Sequence, residues 1–281
     1  VYTADGETYY ALGHNEYQGH THPGYCPSGD YFDCWYNTIT LLISTDGGAS
    51  FQAAVEPPGH YVAGLPVQYQ AGDGPYGMRG PSNIIQGPDG FFYAFLSHVA
   101  EDSVDQYTCA MRTKDLSDPT SWRFWDGTGY EGRFVNPYLE PDAVRAEHEC
   151  PPFMLDQIGH GLHESITYNT ELELYTLIGI GADTIDGREV WGFYYSFSKD
   201  LVEWTRRKLL MEMPLPWTVA DPGNDISHLY PSLLDPDSED MNFGSTDNQA
   251  YLYFTRNNFG HASLDRDLIR VPVRFVPGGG G

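Results

Sequence analysis

The sequence predicts an all-β fold, a β-propeller of four-stranded antiparallel blades, with five the expected number. Three observations predict it. The 281 residues include 31 Gly, 20 Pro and 21 Tyr, a composition that favours many short strands and tight turns over helices. Apolar residues alternate, or run unbroken, over roughly four to eight positions and then give way to Gly, Asp and Asn. These segments recur as one degenerate unit, read four times along the chain.

Each unit reads as strand A, a Gly/Asp turn, an aromatic strand B, a variable loop, an alternating strand C, a short turn, and a strand D led by Trp or Phe. The first unit, near 1–54, holds VYTADG, ETYYALGHNEY and NTITLLISTDGGASFQ. The second, near 81–126, holds PSNIIQGPDG, FFYAFLSH, QYTCAMRTKDL and SWRFWD. The third, near 163–211, holds HESITYNTE, LELYTLIGIG, EVWGFYYSFSKDL and VEWTRRKLL. The fourth, near 230–276, holds YPSLLDPDS, NQAYLYFTR and DLIRVPVRF, with no strand D. A blade has two faces that must pack on neighbours, so a ring of blades is the natural burial solution. A fifth blade is expected to be split or hidden, and the long segments 54–80 and 126–162 have room for further strands. Residues 1–277 are read as one domain and 278–281, all Gly, as a linker or disordered tail.

Hydrophobic residues make up 41% of the chain, enough for a sizeable core. No apolar run approaches the roughly 18 residues of a membrane span. Fifteen basic residues against 39 acidic ones leave a formal charge of −24, which argues against nucleic acid or an anionic membrane as partner, since no basic stripe exists to neutralise phosphates. A monomer is expected. Cys26, Cys34, Cys109 and Cys150 are even in number and contain no CxxC pair. They suit two disulfides in an oxidising compartment, Cys26–Cys34 and Cys109–Cys150, with four buried thiols as the alternative. A secreted or periplasmic protein is the expectation, and a chain beginning at Val1 reads as a mature or trimmed form.

The segment STDGGASF, Ser44 to Phe51, matches the Asp-box of sialidase-type propellers, S-x-D-x-G-x-x-W/F. SKDLVEW and TKDLSDPTSW are looser relatives at the same C–D turn, and YPSLLDP with YLYFTR looks like a blade start. On these motifs the chain resembles the five-bladed propeller glycoside hydrolases of the arabinanase, β-xylosidase and fructosidase type, and secreted bacterial proteins of that kind. The resemblance implies hydrolysis of glycosidic bonds by an Asp base, an Asp that orients, and a Glu acid. The sequence departs from that pattern. Asn83 stands where the second blade would begin with Asp, and Asp5 sits in an A–B turn on the wrong face. The Asp-box itself reads as a turn device, with Ser44 and Asp46 satisfying turn amides and Gly47 and Gly48 free to take positive φ.

Up-and-down strand order places A–B and C–D turns on one face and B–C and D–A loops on the other. The second set holds most of the long segments, where sites are built on rigid scaffolds. His14, His20, His22, His60, His98, His148, His160, His163, His228 and His261 all fall in those segments or at strand ends feeding them. Histidine serves proton transfer, metal binding and hydroxyl recognition near neutral pH, although a single loop His is more often solvated or capping a turn.

Three functions remain open. A glycoside hydrolase needs one protonated and one ionised carboxyl group, about 6.5–9.5 Å apart for an inverting pair. Glu16 and Glu164 are the candidates, with Asp183 as a third carboxylate and His14 and His163 beside them. Asn15, Arg79, Asn83, His98, His228, Tyr230 and Arg256 are candidate substrate contacts. The bland reading of both Glu is an ion pair or a loop cap. A polysaccharide lyase acting on a uronic-acid polymer would use His or Tyr for proton transfer and Arg79 or Arg256 against the uronate. A non-catalytic carbohydrate-binding propeller would stack sugars on aromatics such as Tyr17, Tyr25, Tyr31, Trp35 and Tyr36, though most propeller aromatics are core.

No cofactor is required by these chemistries. His20-x-His22 and His160-x-x-His163 have spacings that can ligate an ion. Asp235, Asp237, Glu239, Asp240 and Asp247 would suit a structural Ca²⁺, with a solvated acidic turn as the alternative.

Overall fold

A computed structural model describes residues 1–101, 106–219, 225–259 and 264–276. The glycine tail read at 278–281 and His261 lie outside the described residues. Two compact units divide the chain, Val1–Phe153 and Met154–Gly281.

In the first unit, the strands are β1 (Tyr2–Thr3), β2 (Tyr9–Gln18), β3 (Trp35–Ser44), β4 (Gln52–Ala53), β5 (Tyr61–Ala63), β6 (Tyr76–Arg79), β7 (Ile85–Gln86), β8 (Phe92–Val99), β9 (Gln106–Thr113), β10 (Arg123–Phe124) and β11 (Gly132–Arg133). β1, β2 and β3 form an antiparallel meander, and β4 and β5 both pair with the far edge of β3. β6 and β7 both pair with β8, and the meander continues through β9, β10 and β11. The segment 54–80 thus contributes β5 and β6, and 126–162 contributes β11. One four-residue helix, α1 (Arg145–His148), follows.

The runs that alternate in sequence form the longest ladders. β2 and β3 pair from Tyr9↔Ser44 to Gln18↔Trp35, so the hairpin extends through the polar stretch His14–Asn15–Glu16. Backbone pairing needs no apolar side chain, so the ladder outlasts the hydrophobic pattern. Ile39, Leu41, Met78, Leu96, Met111 and Trp122 are sealed into the core, each Leu-sized side chain contributing about 1.5–3 kcal/mol by leaving water. Disulfides join Cys26 to Cys34 and Cys109 to Cys150, the pairing read from the sequence.

After β3, Asp46 accepts from the Ser50 N–H and hydroxyl and from the Ser44 hydroxyl. The Ser50 hydroxyl and amide lead in holding its carboxyl down at about 2. Gly47 and Gly48 take φ of 73° and 85°, which a side chain would resist. This is a self-contained turn.

The second unit opens with a helix, α2 (Leu155–Ile158), and continues with β12 (Ser165–Asn169), β13 (Leu174–Ile185), β14 (Arg188–Ser198), β15 (Lys208–Glu212), β16 (Ser227–Leu234), β17 (Ser245–Thr246), β18 (Gln249–Asn257) and β19 (Arg266–Arg274). One sheet runs β15-β14-β13-β12, with β17 added in parallel to β12. The other runs β16-β18-β19, so the last sheet has three strands among the described residues. Phe193, Ile178 and Ile180 from the first sheet pack with Leu233, Leu252 and Phe254 from the second, with Phe193 and Phe254 ring centroids 5.4 Å apart. The buried Ser165 hydroxyl accepts the Leu233 N–H and links the sheets directly.

The fold class is all-β and of the propeller type: mostly antiparallel sheets, with β3–β6 and β12–β17 paired in parallel, and four-residue helices as the only α-helices among the described residues.

Candidate functional site

Glu164 stands immediately before β12, at the point where the chain enters the second unit's first sheet. Its N–H donates to the Ile178 carbonyl, and its Oε2 accepts the Ile180 N–H at 2.9 Å. Both contacts fall on β13, and they require the segment 161–163 to lie against that strand. A Cβ on Gly179 would stand 2.6 Å from the Leu162 Cα and 2.8 Å from the Gly161 carbonyl oxygen, and one on Gly161 would collide with the Ile180 carbonyl oxygen. Two glycines thus allow the backbone approach that seats Glu164. Burial pushes its carboxyl up to about 8, against the opposing pull of the Ile180 N–H. At neutral pH the group keeps its proton.

His163 precedes it, with Nδ1 on the Gly161 carbonyl at 2.9 Å. A carbonyl accepts only from a protonated nitrogen, so the neutral ring carries its proton on Nδ1 and its lone pair on Nε2.

Asp183 lies within β13, beyond the strand end read from the sequence. The strand runs on to Ile185 because Asp186 and Gly187, at φ of 52° and 76°, make a two-residue turn into β14. Burial works to raise the Asp183 carboxyl, but hydrogen bonds from Arg206 and the Thr184 N–H, with the Arg207 charge, hold it below its usual range. Arg206 lies at 3.0 Å and Arg207 at 3.7 Å. Asp183 is therefore a fixed anion, whereas Glu164, hydrogen-bonded to the same strand, is pushed the other way by burial.

The other candidates in this unit are held locally. His228 on β16 is buried with Nδ1 3.3 Å from the Pro214 carbonyl. Desolvation lowers its pKa against that carbonyl, and the Arg256 charge adds to the lowering. Tyr230 is 58% exposed in the left-handed region, where β16 shifts register against β18. Arg256 bonds Asp267 at 2.7 Å and Asn258 at 2.9 Å.

In the first unit His14, Asn15 and Glu16 sit together on β2. His14 Nε2 donates to the buried Asn37 amide oxygen at 2.8 Å, and Asn37 in turn donates to the Tyr76 carbonyl. His14 Nδ1 faces Glu16 at 3.9 Å. Glu16 is solvent-exposed and accepts from Gln18. Asn15 donates to Thr38 and lines a cavity of this unit. His98 is 1% exposed, stacks on Tyr107 at 4.2 Å, and meets Glu149 at 3.4 Å. Arg79 lies over the Trp35 ring and reaches Gln106. Asn83 accepts the Ser82 hydroxyl on its carbonyl.

Sequence reading missed the arginine pair on Asp183, the salt-bridge chain Glu101–Arg145–Glu149, and the walls of the cavity beside Asn15. Among the described residues no group of three or more His, Cys, Asp or Glu is arranged to hold a metal ion. In the acidic loop, Asp235, Asp240 and Asp247 accept backbone N–H groups. No described helix is long and apolar enough to cross a membrane.

No protein-family model matches the chain, and no curated protein matches it. Among solved structures, a thermostable family-43 glycoside hydrolase is similar over 86% of this chain and 65% of its own length, at 8% identity and a TM-score of 0.46. A glycosyl hydrolase from Bacteroides ovatus is similar over 97% of this chain and 64% of its own, at 13% identity and a TM-score of 0.46. An endo-arabinase from Bacteroides thetaiotaomicron VPI-5482 is similar over 99% and 75%, at 11% identity and 0.47. The chain thus spans less than two thirds of the length of the first two.

Proposed function

We infer that this chain is a secreted or periplasmic carbohydrate-active enzyme of the glycoside hydrolase class, with Glu164 as its proton donor. One observation carries the reading: a carboxyl group raised to about 8 by burial and pinned to the Ile180 N–H. Glycosidic cleavage needs an acid that is still protonated at the working pH and can hand its proton to the leaving oxygen. A surface carboxyl, ionised at that pH, has no proton to give. The second requirement is a carboxylate that stays ionised. Asp183, held by Arg206 and Arg207, has that property. His163, next in sequence to the acid, is oriented by its Nδ1 bond to the Gly161 carbonyl.

The test is a panel of neutral and uronic polysaccharides, assayed for new reducing ends and for the ultraviolet absorbance of an unsaturated uronate. New reducing ends without that absorbance, lost in Glu164→Gln, support the reading. Unsaturated product identifies a lyase instead, and wild-type turnover in Glu164→Gln removes Glu164 from the chemistry.

A further inference from the structure

The first unit contains a cavity of about 360 Å³, on the lower side of the roughly 300–1,000 Å³ of small-ligand pockets. Its walls are aromatic. Tyr17, Tyr25, Tyr36, Tyr69 and Tyr138 line it, and the Tyr17 and Tyr69 rings meet edge to face at 4.7 Å. The rings are fixed by their hydroxyls and backbone: Tyr36 donates to the Val67 carbonyl at 3.0 Å, Tyr69 to the Tyr25 carbonyl at 2.7 Å, and the Tyr138 hydroxyl accepts the Tyr69 N–H at 2.9 Å. This is a preformed platform, because each ring is tied to a different stretch of chain.

The polar part of the wall is neutral. Asn15, Asn136, Thr38 and Thr40 supply amides and hydroxyls, and no Asp, Glu, Lys or Arg is among the described residues that line it. Two further lining residues carry an unsatisfied group: the His60 Nδ1 and the Tyr61 hydroxyl are buried with no hydrogen-bond partner among the described residues. A buried polar atom without a partner costs roughly 1–3 kcal/mol, so both mark the cavity as incomplete.

We propose that this cavity is a binding site for a neutral saccharide residue. Stacking rings accept the apolar faces of a sugar, while amides and hydroxyls at the rim accept its equatorial hydroxyls. An anionic uronate finds no cation here, and a purely apolar ligand would leave His60 and Tyr61 unsatisfied. The role is to hold a carbohydrate chain, and it stands whether or not Glu164 is the acid.

The experiment is NMR of the whole protein with isotope-labelled tyrosine, titrated with neutral linear pentose and hexose oligosaccharides, an oligogalacturonide, and a proline-rich peptide as the competing occupant. Wild type and Glu164→Gln should show the same saturable shifts of the Tyr69 and Tyr138 rings with at least one neutral oligosaccharide. Tyr138→Ala, at a 56%-exposed position, should weaken that binding about tenfold as read at Tyr69. Tyr61→Phe, which keeps the ring and removes the hydroxyl, should weaken it severalfold. The proposal is overturned by unmoved Tyr69 and Tyr138 resonances with every neutral oligosaccharide, by shifts that both variants leave unchanged, or by shifts produced only by the oligogalacturonide or the peptide. Loss of turnover in Glu164→Gln with these shifts intact separates this site from the catalytic reading.

Discussion

The Glu164 carboxyl and the Ile180 N–H are joined at 2.9 Å across the entry to β12, and this contact ties the acid to β13. The linkage has a definite sign. Burial raises the carboxyl from 4.5 in the unfolded chain to about 8, so between those values the folded state holds a proton that the unfolded state has lost. The stabilisation is fully present below pH 4.5 and disappears as pH rises through about 8. A tenfold change in proton affinity corresponds to about 1.4 kcal/mol, so the whole contribution is of the order of a few kcal/mol. Glu164→Gln keeps an acceptor for the Ile180 N–H and has no proton to lose. It should flatten the fall in urea midpoint across this window and match or exceed wild type in mild alkali. Parallel slopes for the two proteins would show that Glu164 is an ordinary surface carboxyl.

Gly179 makes the same point through sterics. A methyl group there meets the Leu162 Cα at 2.6 Å, which is backbone and cannot swing aside. Gly179→Ala should therefore cost about 1–3 kcal/mol and displace Glu164 from β13. In an active preparation kcat should fall more than KM changes, and the basic limb of the pH–rate profile should move toward ordinary carboxylate values. A variant with only lowered stability and an unmoved profile would separate packing from acid placement.

The strand pattern was legible because alternation has a local cause. NTITLLIS and ETYYALGHNEY state their own pairing, and β2 and β3 form that ladder. Strand ends were less legible: residues 14–18 are polar yet continue the hairpin, and the Asp186–Gly187 turn extends β13 past Asp183. Glu164 was nameable from its place at a strand start. Its protonation was not, since that depends on what buries it and on two glycines that permit the approach. The Tyr-lined cavity was hidden for a similar reason. Tyr25, Tyr69 and Tyr138 are far apart in sequence, and only the tertiary contacts that tie them make a wall.

Acid stability should depend on Glu149. Its hydrogen bond with His98 leads in lowering the carboxyl to about 2, and Arg145 adds to it against the cost of burial. A depressed pKa stabilises above the unfolded value of 4.5, and the contribution is lost as pH falls toward about 2. Glu149→Gln removes the charge seen by both Arg145 and His98. At neutral pH it should lower stability by about 1–3 kcal/mol, and the difference from wild type should shrink on acidification. A constant difference from neutral pH to pH about 2 would rule out the ionic origin.

Reduction should act unequally on the two disulfides. Cys109 and Cys150 are 41 residues apart, Cys26 and Cys34 only 8. In the chain-entropy account the first restrains the unfolded state by about 4 kcal/mol and the second by roughly 2.5 kcal/mol. Their positions in the native state reinforce the ranking. Cys109 and Cys150 are fully buried in the core beside Leu96 and Met111, and the bridge anchors the strand that carries Tyr107 against His98. Cys26 sits in the loop between β2 and β3, where its sulfur is near the surface. Paired Cys→Ser variants should show the larger drop in unfolding midpoint for 109/150, accompanied by lost protection of β8 and β9 in hydrogen exchange. The 26/34 variant should leave those strands protected and loosen the loop. Equal losses from both variants would mean that neither loop length nor burial governs their contribution.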